Sequence, residues 1–125
     1  MPTAQYSSLK DRVVIITGGG QALGRAYAHE FAAQGAIPVI AELDEQNGER
    51  VVREIEQKGG RAMSIRTDVA IEAEANSMAE AALSAYGRID CLINNAAVFS
   101  RITIAPFWEL PVEEWQSAMR VNIDG

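Results

Sequence analysis

The stretch VVIITGGGQALG, residues 13–24, decides the fold. Its first five residues form a β-branched run without polar alternation, which is typical of a strand buried on both faces of a parallel sheet. Three glycines end the run, and Leu23, Tyr27 and Phe31 then recur at helical spacing. A buried strand that turns through glycines directly into a helix predicts the first β-α unit of an α/β sheet.

The rest of the chain repeats this alternation. Further strands are predicted at residues 37–41, 62–66 and 89–93, and further helices at 44–58, 71–86 and from 112 onward. The short links favour parallel strands with right-handed crossovers and helices on both faces, in one domain spanning residues 1–125. The sole cysteine, Cys91, lies inside the fourth predicted strand and is expected to be a small core residue.

Composition limits the partners that we expect. The chain has 125 residues, of which 48% are hydrophobic, and 11 basic against 17 acidic residues give a net charge of −6. Because that charge repels phosphate, neither nucleic acid nor anionic lipid is an expected partner. No apolar run reaches the roughly 18 residues of a membrane helix, and no signal peptide is evident. One cysteine and one histidine predict no disulfide and no metal site. The single cysteine fits a reduced setting, so a cytoplasmic location is expected.

The glycine loop, residues 17–24, is a candidate anion site. Glycines let backbone N–H groups approach an anion closely, and the N-terminus of the following helix offers partial positive charge to a pyrophosphate. The spacing differs from the common G-x-G-x-x-G pattern because position 23 is Leu. The alternative interpretation is a tight strand-to-helix turn without a ligand.

Glu42 ends the second predicted strand, 18 residues after Gly24. An acid at about this distance can hydrogen-bond both ribose hydroxyls of an adenosine, and it would repel a 2′-phosphate. No Lys or Arg stands within the glycine loop or directly after Glu42, which favours NAD over NADP. The alternative is a solvated acid that caps the second helix, a role for which Asp44 is also suited.

Five motifs in order give the chain a family resemblance. Over residues 9–125 it resembles the first half of a short-chain dehydrogenase/reductase, at the glycine loop 17–24, Glu42, Asp68-Val69, Asn94-Asn95-Ala96-Ala97 and Asn122. The resemblance implies a doubly wound Rossmann-type sheet with strand order 3-2-1-4. It also implies a nicotinamide cofactor and hydride transfer to or from an alcohol or ketone substrate.

The resemblance also assigns roles to single residues. Asp68 would bind the adenine amino group and the Val69 N–H an adenine ring nitrogen, while Asn122 would hold a helix kink and a water of the proton relay. Gly18, Gln21 and Leu23 would approach the pyrophosphate and nicotinamide side of the cofactor. Glu42 would bind the ribose and Asn95 would face the cofactor, while Gly24 would let the first helix pack on the sheet. The alternatives are an N-cap for Asp68, a plain turn at Asn94-Asn95 and a helix-surface side chain for Asn122.

The chain departs from the family pattern in two ways. Ala22 replaces the middle glycine of the loop and Ala97 the last residue of the Asn-Asn-Ala-Gly motif. The catalytic Ser and Tyr-x-x-x-Lys of the family have no counterpart, because the match Tyr6–Lys10 precedes the first strand and is rejected. We therefore expect the NAD-binding part of an oxidoreductase, inactive by itself.

Two other functions stay open on sequence alone. One is a nucleotide-binding module without catalysis. The other is a flavodoxin-like or receiver-like interaction domain, which would carry a phosphate-sized site or an acid cluster where the three glycines stand. By the strand order that the family resemblance implies, the fourth strand would be an open edge, since the family's fifth strand is missing. Its unpaired backbone groups predict a homo-oligomer or a longer polypeptide.

Overall fold

Strands and α-helices alternate along the chain, and the computed structural model describes residues 4–99 and 103–125. Short 3-10 turns precede the first strand and the last α-helix, at Ser7–Leu9 and Phe107–Glu109, and a π-helical turn, Arg120–Asp124, follows that helix. The predicted elements are confirmed with ends shifted by one or two residues. In chain order they are β1 (Val13–Thr17), α1 (Ala22–Ala33), β2 (Ile37–Glu42), α2 (Glu45–Gln57), β3 (Met63–Arg66), α3 (Glu72–Tyr86), β4 (Cys91–Ile93) and α4 (Val112–Met119).

The four strands form one parallel sheet in the order β3-β2-β1-β4, which confirms the predicted topology. In the register, Ile15 of β1 stands beside Val39 of β2 and Leu92 of β4. All five residues of β1 are buried, as expected for the central position of a covered parallel sheet. The carboxyl ends of the strands meet at one edge, where α/β sheets bind ligands.

Each face of the sheet is covered by helices. Alternate side chains of β1 serve the two faces, since successive residues of a strand point to opposite sides. Val13 and Ile15 pack with Met78 and Ala82 of α3 on one face. The other face joins β1 and β2 to α1 and α2 through Val14, Ile16, Ile40, Ala28, Val51 and Ile55.

The fourth strand differs from its prediction. β4 spans only Cys91–Ile93, at the edge of the sheet, and Leu92 remains 52% exposed. Cys91 is also exposed, so the expectation that it is a core residue was wrong. A run of apolar residues predicts a strand but does not distinguish an edge position from a central one, and only a central strand is covered from both sides.

A charged anchor fixes the start of β4 against β1. The carboxylate of Asp90 accepts hydrogen bonds from Arg88 Nε at 2.7 Å, from the Val13 N–H at 2.9 Å and from Arg12 Nη1 at 2.9 Å. The Arg88 guanidinium, with the Val13 N–H, holds the pKa of Asp90 well below its usual range. The Asp90 N–H completes the join by donating to the Val13 carbonyl at 2.9 Å.

Glu54 joins the two helices that share one face of the sheet. Its Oε2 lies 2.8 Å from Arg25 Nε and 2.8 Å from His29 Nε2, so this α2 carboxylate bonds two side chains of α1. Arg50 Nε lies 3.9 Å from the other oxygen. The hydrogen bond from Arg25, followed by that from His29, lowers the pKa of Glu54 to about 2.

We expect Glu54→Gln to destabilise the protein by about 1 kcal/mol near pH 7, because the side chain is 26% exposed and its ion pairs are screened by water. The folded-state pKa lies below the unfolded value of 4.5. The carboxylate therefore stabilises the fold fully above that value, and the stabilisation is lost as the pH falls towards 2. Urea unfolding at pH 7 and at pH 2 would measure the difference.

Glu49→Gln is the matched control for this variant. Glu49 lies on the same helix, 54% exposed, and contacts Arg53 at 3.4 Å without reaching α1. The control should change the free energy of unfolding by at most a few tenths of a kcal/mol. An equal loss in both variants, or a Glu54→Gln loss that does not shrink in acid, would contradict the assignment.

Candidate functional site

A cleft of about 750 Å³ opens at the carboxyl ends of the strands. Its walls come from the glycine loop, the end of β2, the segment after β3 and the segment after β4, four stretches that are far apart in sequence. The structure brings all eight predicted cofactor-binding residues into this one cleft: Gly18, Gln21, Leu23, Gly24, Glu42, Asp68, Val69 and Asn95.

Thr17, the last residue of β1, joins this central strand to the edge strand β4 and the segment after it, at the floor of the cleft. Its buried hydroxyl accepts hydrogen bonds from the Asn95 N–H at 2.9 Å and the Ala96 N–H at 3.0 Å, and donates to the Ile93 carbonyl at 3.3 Å. The segment after β4 is thereby held beside the glycine loop. The sequence analysis assigned no separate role to Thr17. The only sign of its role in the sequence is a hydroxyl at the last position of the predicted first strand.

Asn95 lines the cleft but also fastens its wall. Its side-chain Nδ2 donates to the Thr17 carbonyl at 2.9 Å and to the Gly18 carbonyl at 3.2 Å. The sequence analysis expected Asn95 to contact the cofactor. In the structure its side chain also holds the glycine loop, so the alternative of a plain turn does not describe it.

Gly18 and Gly24 are required by close packing at the start of α1. Gly18 has a φ of +63°, and a Cβ there would lie 2.9 Å from the Ala96 Cα. A Cβ on Gly24 would overlap the Gly18 carbonyl oxygen and come within 2.7 Å of Asn95 Nδ2. The helix can therefore approach the sheet only if position 24 has no side chain.

The first turn of α1 offers unpaired donors to the cleft. The first helical hydrogen bond runs from the Arg25 N–H to the Gln21 carbonyl at 3.0 Å. The N–H groups of residues 22–24 precede it and have no acceptor within the helix. Together with the partial positive charge of a helix N-terminus, this arrangement suits an anion.

Ala22, where the family pattern has a glycine, has a strained backbone. Its φ is +44°, in the left-handed region that L-residues avoid. The residue also lines the cleft, so its methyl group occupies the rim of the site. A glycine at this position would adopt the same φ without strain.

Glu42 is a buried acid at the end of β2, only 8% exposed. Its Oε2 accepts from the Gly20 N–H at 2.9 Å and its Oε1 from the Asp44 N–H at 3.2 Å. The N-cap of α2 is Asp44, which accepts from the Asn47 N–H, so the alternative of Glu42 as a solvated cap was wrong. Each Glu42 oxygen takes one backbone donor and keeps capacity for another hydrogen bond.

Asp68 is held by a side chain of α3. Its backbone N–H donates to Glu74 Oε2 at 2.6 Å, and Arg66 Nη1 holds the Glu74 carboxylate at 2.9 and 3.0 Å. The hydrogen bond from the Asp68 N–H lowers the pKa of Glu74 most, and the hydrogen bond from Arg66 lowers it further. The N-cap of α3 is Ile71, so the alternative of Asp68 as that cap was wrong. Sequence analysis missed Glu74, whose only signal is its place in the first turn of α3.

Asn122 lies in the π-helical turn that follows α4. Its Oδ1 accepts from the Val98 N–H at 2.8 Å, and its Nδ2 donates to the Val98 carbonyl at 3.1 Å. Because this pair ties the helix end to the segment after β4, Asn122 is not an ordinary surface residue. Val98 and Val121 line the cleft beside it.

We expect Thr17→Val to reduce the free energy of unfolding by about 2–3 kcal/mol, because the Asn95 and Ala96 N–H groups lose their acceptor. Thr17→Ser keeps the hydroxyl and removes one buried methyl group, for a loss of about 1 kcal/mol. Urea denaturation of both variants measures the difference. Equal losses in the two would show that packing, and not the hydroxyl, is what matters at this position.

Ala22→Gly should stabilise the protein by roughly 0.5–1 kcal/mol, since it removes the left-handed strain but adds freedom to the unfolded chain. Ala26→Gly is the control, at an exposed position inside α1. It should destabilise by about 1 kcal/mol, as glycine does in an ordinary helix. Thermal unfolding of the two variants would show opposite shifts, and shifts of the same sign would contradict the strain at Ala22.

In residues 4–99 and 103–125, no helix is long and apolar enough to cross a membrane. Within the same ranges, no three His, Cys, Asp or Glu side chains are grouped as ligands of a metal ion would be.

Curated proteins with similar sequences are oxidoreductases. The chain is 39% identical over 117 residues to an uncharacterized oxidoreductase of Thermotoga maritima, covering 94% of this chain and 44% of that protein. It is 34% identical over 122 residues to 3beta-hydroxysteroid dehydrogenase 1 of Eggerthella lenta, covering 96% and 45%. The chain thus spans less than half the length of these relatives.

Solved structures with the same fold include complexes with nicotinamide cofactors. A metagenomic short-chain oxidoreductase in complex with NADP has a TM-score of 0.86 at 32% identity, over 94% of this chain and 52% of that chain. A short-chain dehydrogenase/reductase from Burkholderia phymatum in complex with NAD has a TM-score of 0.85 at 33% identity, over 95% and 41%.

The family comparison covers nearly the whole chain. The sequence model of the family described as short chain dehydrogenase matches residues 12–125, which include the cleft and all of the motifs. The match also removes the flavodoxin-like or receiver-like alternative. With its sheet order, its glycine loop and this match, the chain belongs to the short-chain dehydrogenase family.

Proposed function

We propose that this chain is the NAD-binding part of a dehydrogenase or reductase that moves hydride between NAD and an alcohol or ketone. The observation that carries the proposal is the convergence of eight motif residues from four separate stretches on one cleft. Relatives and structural neighbours named as oxidoreductases, some in complex with NAD or NADP, support it. When bound, the nicotinamide supplies the hydride acceptor or donor.

The glycine loop fits the diphosphate of such a cofactor. The N–H groups of residues 22–24 lie at the N-terminus of α1 and have no acceptor within the helix, so they would donate to the diphosphate. Gly24 adds no side chain between these groups and the floor of the cleft. Gly18, Gln21 and Leu23 line the same part of the cleft and would contact the pyrophosphate and nicotinamide side. Because Ala22 has a positive φ, its cost to this loop is backbone strain on the order of 1 kcal/mol.

The end of β2 and the segment after β3 fit the adenosine. Glu42 is already oriented by two backbone N–H groups, so its carboxylate would accept the ribose hydroxyls without reorganising. Asp68, whose backbone is fixed by Glu74, would bind the adenine amino group, and the Val69 N–H a ring nitrogen. A buried carboxylate at the ribose disfavours the 2′-phosphate of NADP, because both groups are negative.

Proton transfer needs residues that this chain does not contain. The Ser and the Tyr-x-x-x-Lys implied by the family resemblance have no counterpart at a matching position, and Tyr6 and Lys10 precede β1, whose other end carries the cleft. Asn122 would act as a positioning residue through Val98. We therefore expect these 125 residues to bind the cofactor without turnover. A nucleotide-binding module without catalysis is the alternative.

We also propose that residues 1–125 form one domain and that the protein is a cytoplasmic homo-oligomer. The open edge of β4, with Leu92 half exposed, supports association through that strand. The free, exposed thiol of Cys91 supports a reducing compartment, where it would not be oxidised.

We expect NADH to bind more tightly than NADPH in a fluorescence titration, by about tenfold or more. Glu42→Ala should reduce that ratio to about threefold or less, because it removes a charged hydrogen-bond partner of the ribose together with the repulsion of the 2′-phosphate. The preference would change through loss of NADH affinity and gain of NADPH affinity.

Glu45→Ala is the control, since it removes the same charge from an exposed position in the first turn of α2. The control should leave the ratio unchanged. Tighter binding of NADPH to the unmodified protein, or an equal effect of both variants, would contradict the role of Glu42. Failure of both dinucleotides to bind would overturn the proposed function.

A further inference from the structure

Gly20 in the glycine loop is fixed through both of its backbone polar groups. Its N–H donates to Glu42 Oε2 at 2.9 Å, and its carbonyl accepts from Arg50 Nη2 at 2.9 Å. A Cβ on Gly20 would lie 2.7 Å from the Glu42 Cγ and 2.9 Å from the Asn47 Cβ. The loop is therefore pressed against the end of β2 and the start of α2 at this residue.

The two hydrogen bonds set two successive peptide units. Peptide bonds in the described chain are trans, and in a trans peptide the C=O and N–H point in opposite directions. The Gly20 carbonyl shares its peptide with the N–H of Gln21. When Arg50 holds that carbonyl, it also points the Gln21 N–H away from the guanidinium, and Gln21 is a residue of the cleft wall.

Arg50 is not needed to join the helices around it. Glu54 already links α2 to α1 through direct bonds to Arg25 and His29, both at 2.8 Å. Arg50 stands 3.9 Å from Glu54, one helical turn away, and sends its hydrogen bond to the loop instead. The glycine loop contains no Lys or Arg, but Arg50 of α2, 30 residues after Gly20, donates a hydrogen bond to the loop backbone.

We propose that Arg50 is a positioning residue for dinucleotide binding, which holds the Gly20–Gln21 peptide so that the Gln21 N–H faces the diphosphate. Arg50 acts through the loop backbone and does not itself touch the ligand. The inference rests on the proposed function, because it deepens the role of the same cleft.

The test uses Arg50→Met with three probes: NADH, ADP-ribose and adenosine. Affinity for NADH and ADP-ribose should fall about tenfold, since both carry the diphosphate. Affinity for adenosine, followed by ligand-detected NMR, should not change. Arg50→Lys, which keeps a donor and the charge but not the planar fork, should recover part of the loss.

Arg53→Met is the matched control. Arg53 lies on the same helix and its guanidinium contacts Glu49 at 3.4 Å, away from the loop. This variant should bind all three probes as the unmodified protein does, and the melting temperatures of both methionine variants should agree within a few degrees. If Arg50→Met does not fold, Arg50→Lys carries the test alone, with an expected loss of about threefold for the two diphosphate probes.

The outcomes separate the two proposals. If the unmodified protein binds neither NADH nor ADP-ribose, the proposed function fails and this inference fails with it. If it binds NADH and the Arg50 variants bind as tightly as Arg53→Met, the inference alone is overturned. An equal loss for adenosine and for ADP-ribose would also overturn it, because Arg50 would then act on the fold in general and not on the diphosphate site.

Discussion

The structure depends on how closely α1 approaches the end of β1. Gly24 has no side chain, so the helix starts against the Gly18 carbonyl, and the Asn95 amide closes the remaining space from β4. Thr17 then fastens β1 to the segment after β4 with one buried hydroxyl. Two walls of the cleft, the glycine loop and the segment after β4, are held together by these contacts.

Polar contacts around the cleft follow a common pattern. Two parts of its wall are each held by a side chain from a helix: Asp68 by Glu74, and the glycine loop by Arg50. A donor or acceptor that is already oriented loses little conformational freedom when a ligand arrives, which favours binding. In the proposed function, the acidic chain would therefore bind the diphosphate through backbone N–H groups, without a lysine or arginine in the loop itself.

Much of this arrangement could be predicted from the sequence because it follows from local patterns. The β-branched run of β1 and the spacing of later strands predict a covered parallel sheet, and the carboxyl ends of its strands must then gather the motif residues. The contacts of Arg50 and Glu74 could not be predicted, since they join surface residues of helices to loops through tertiary geometry that no periodicity encodes. Cys91 shows the other limit, because apolar content predicts a strand without saying whether a neighbour covers it.

The contact between Thr17 and Asn95 spans 78 residues of the chain. Closing so long a loop costs conformational entropy before any contact compensates for it, and long-range parallel pairing is accordingly slow to form. The strands β1, β2 and β3 pair over shorter separations. We therefore expect the floor of the cleft to be completed late in folding, so that a chain that has not yet joined β4 to β1 would have the glycine loop without the opposite wall of the cleft.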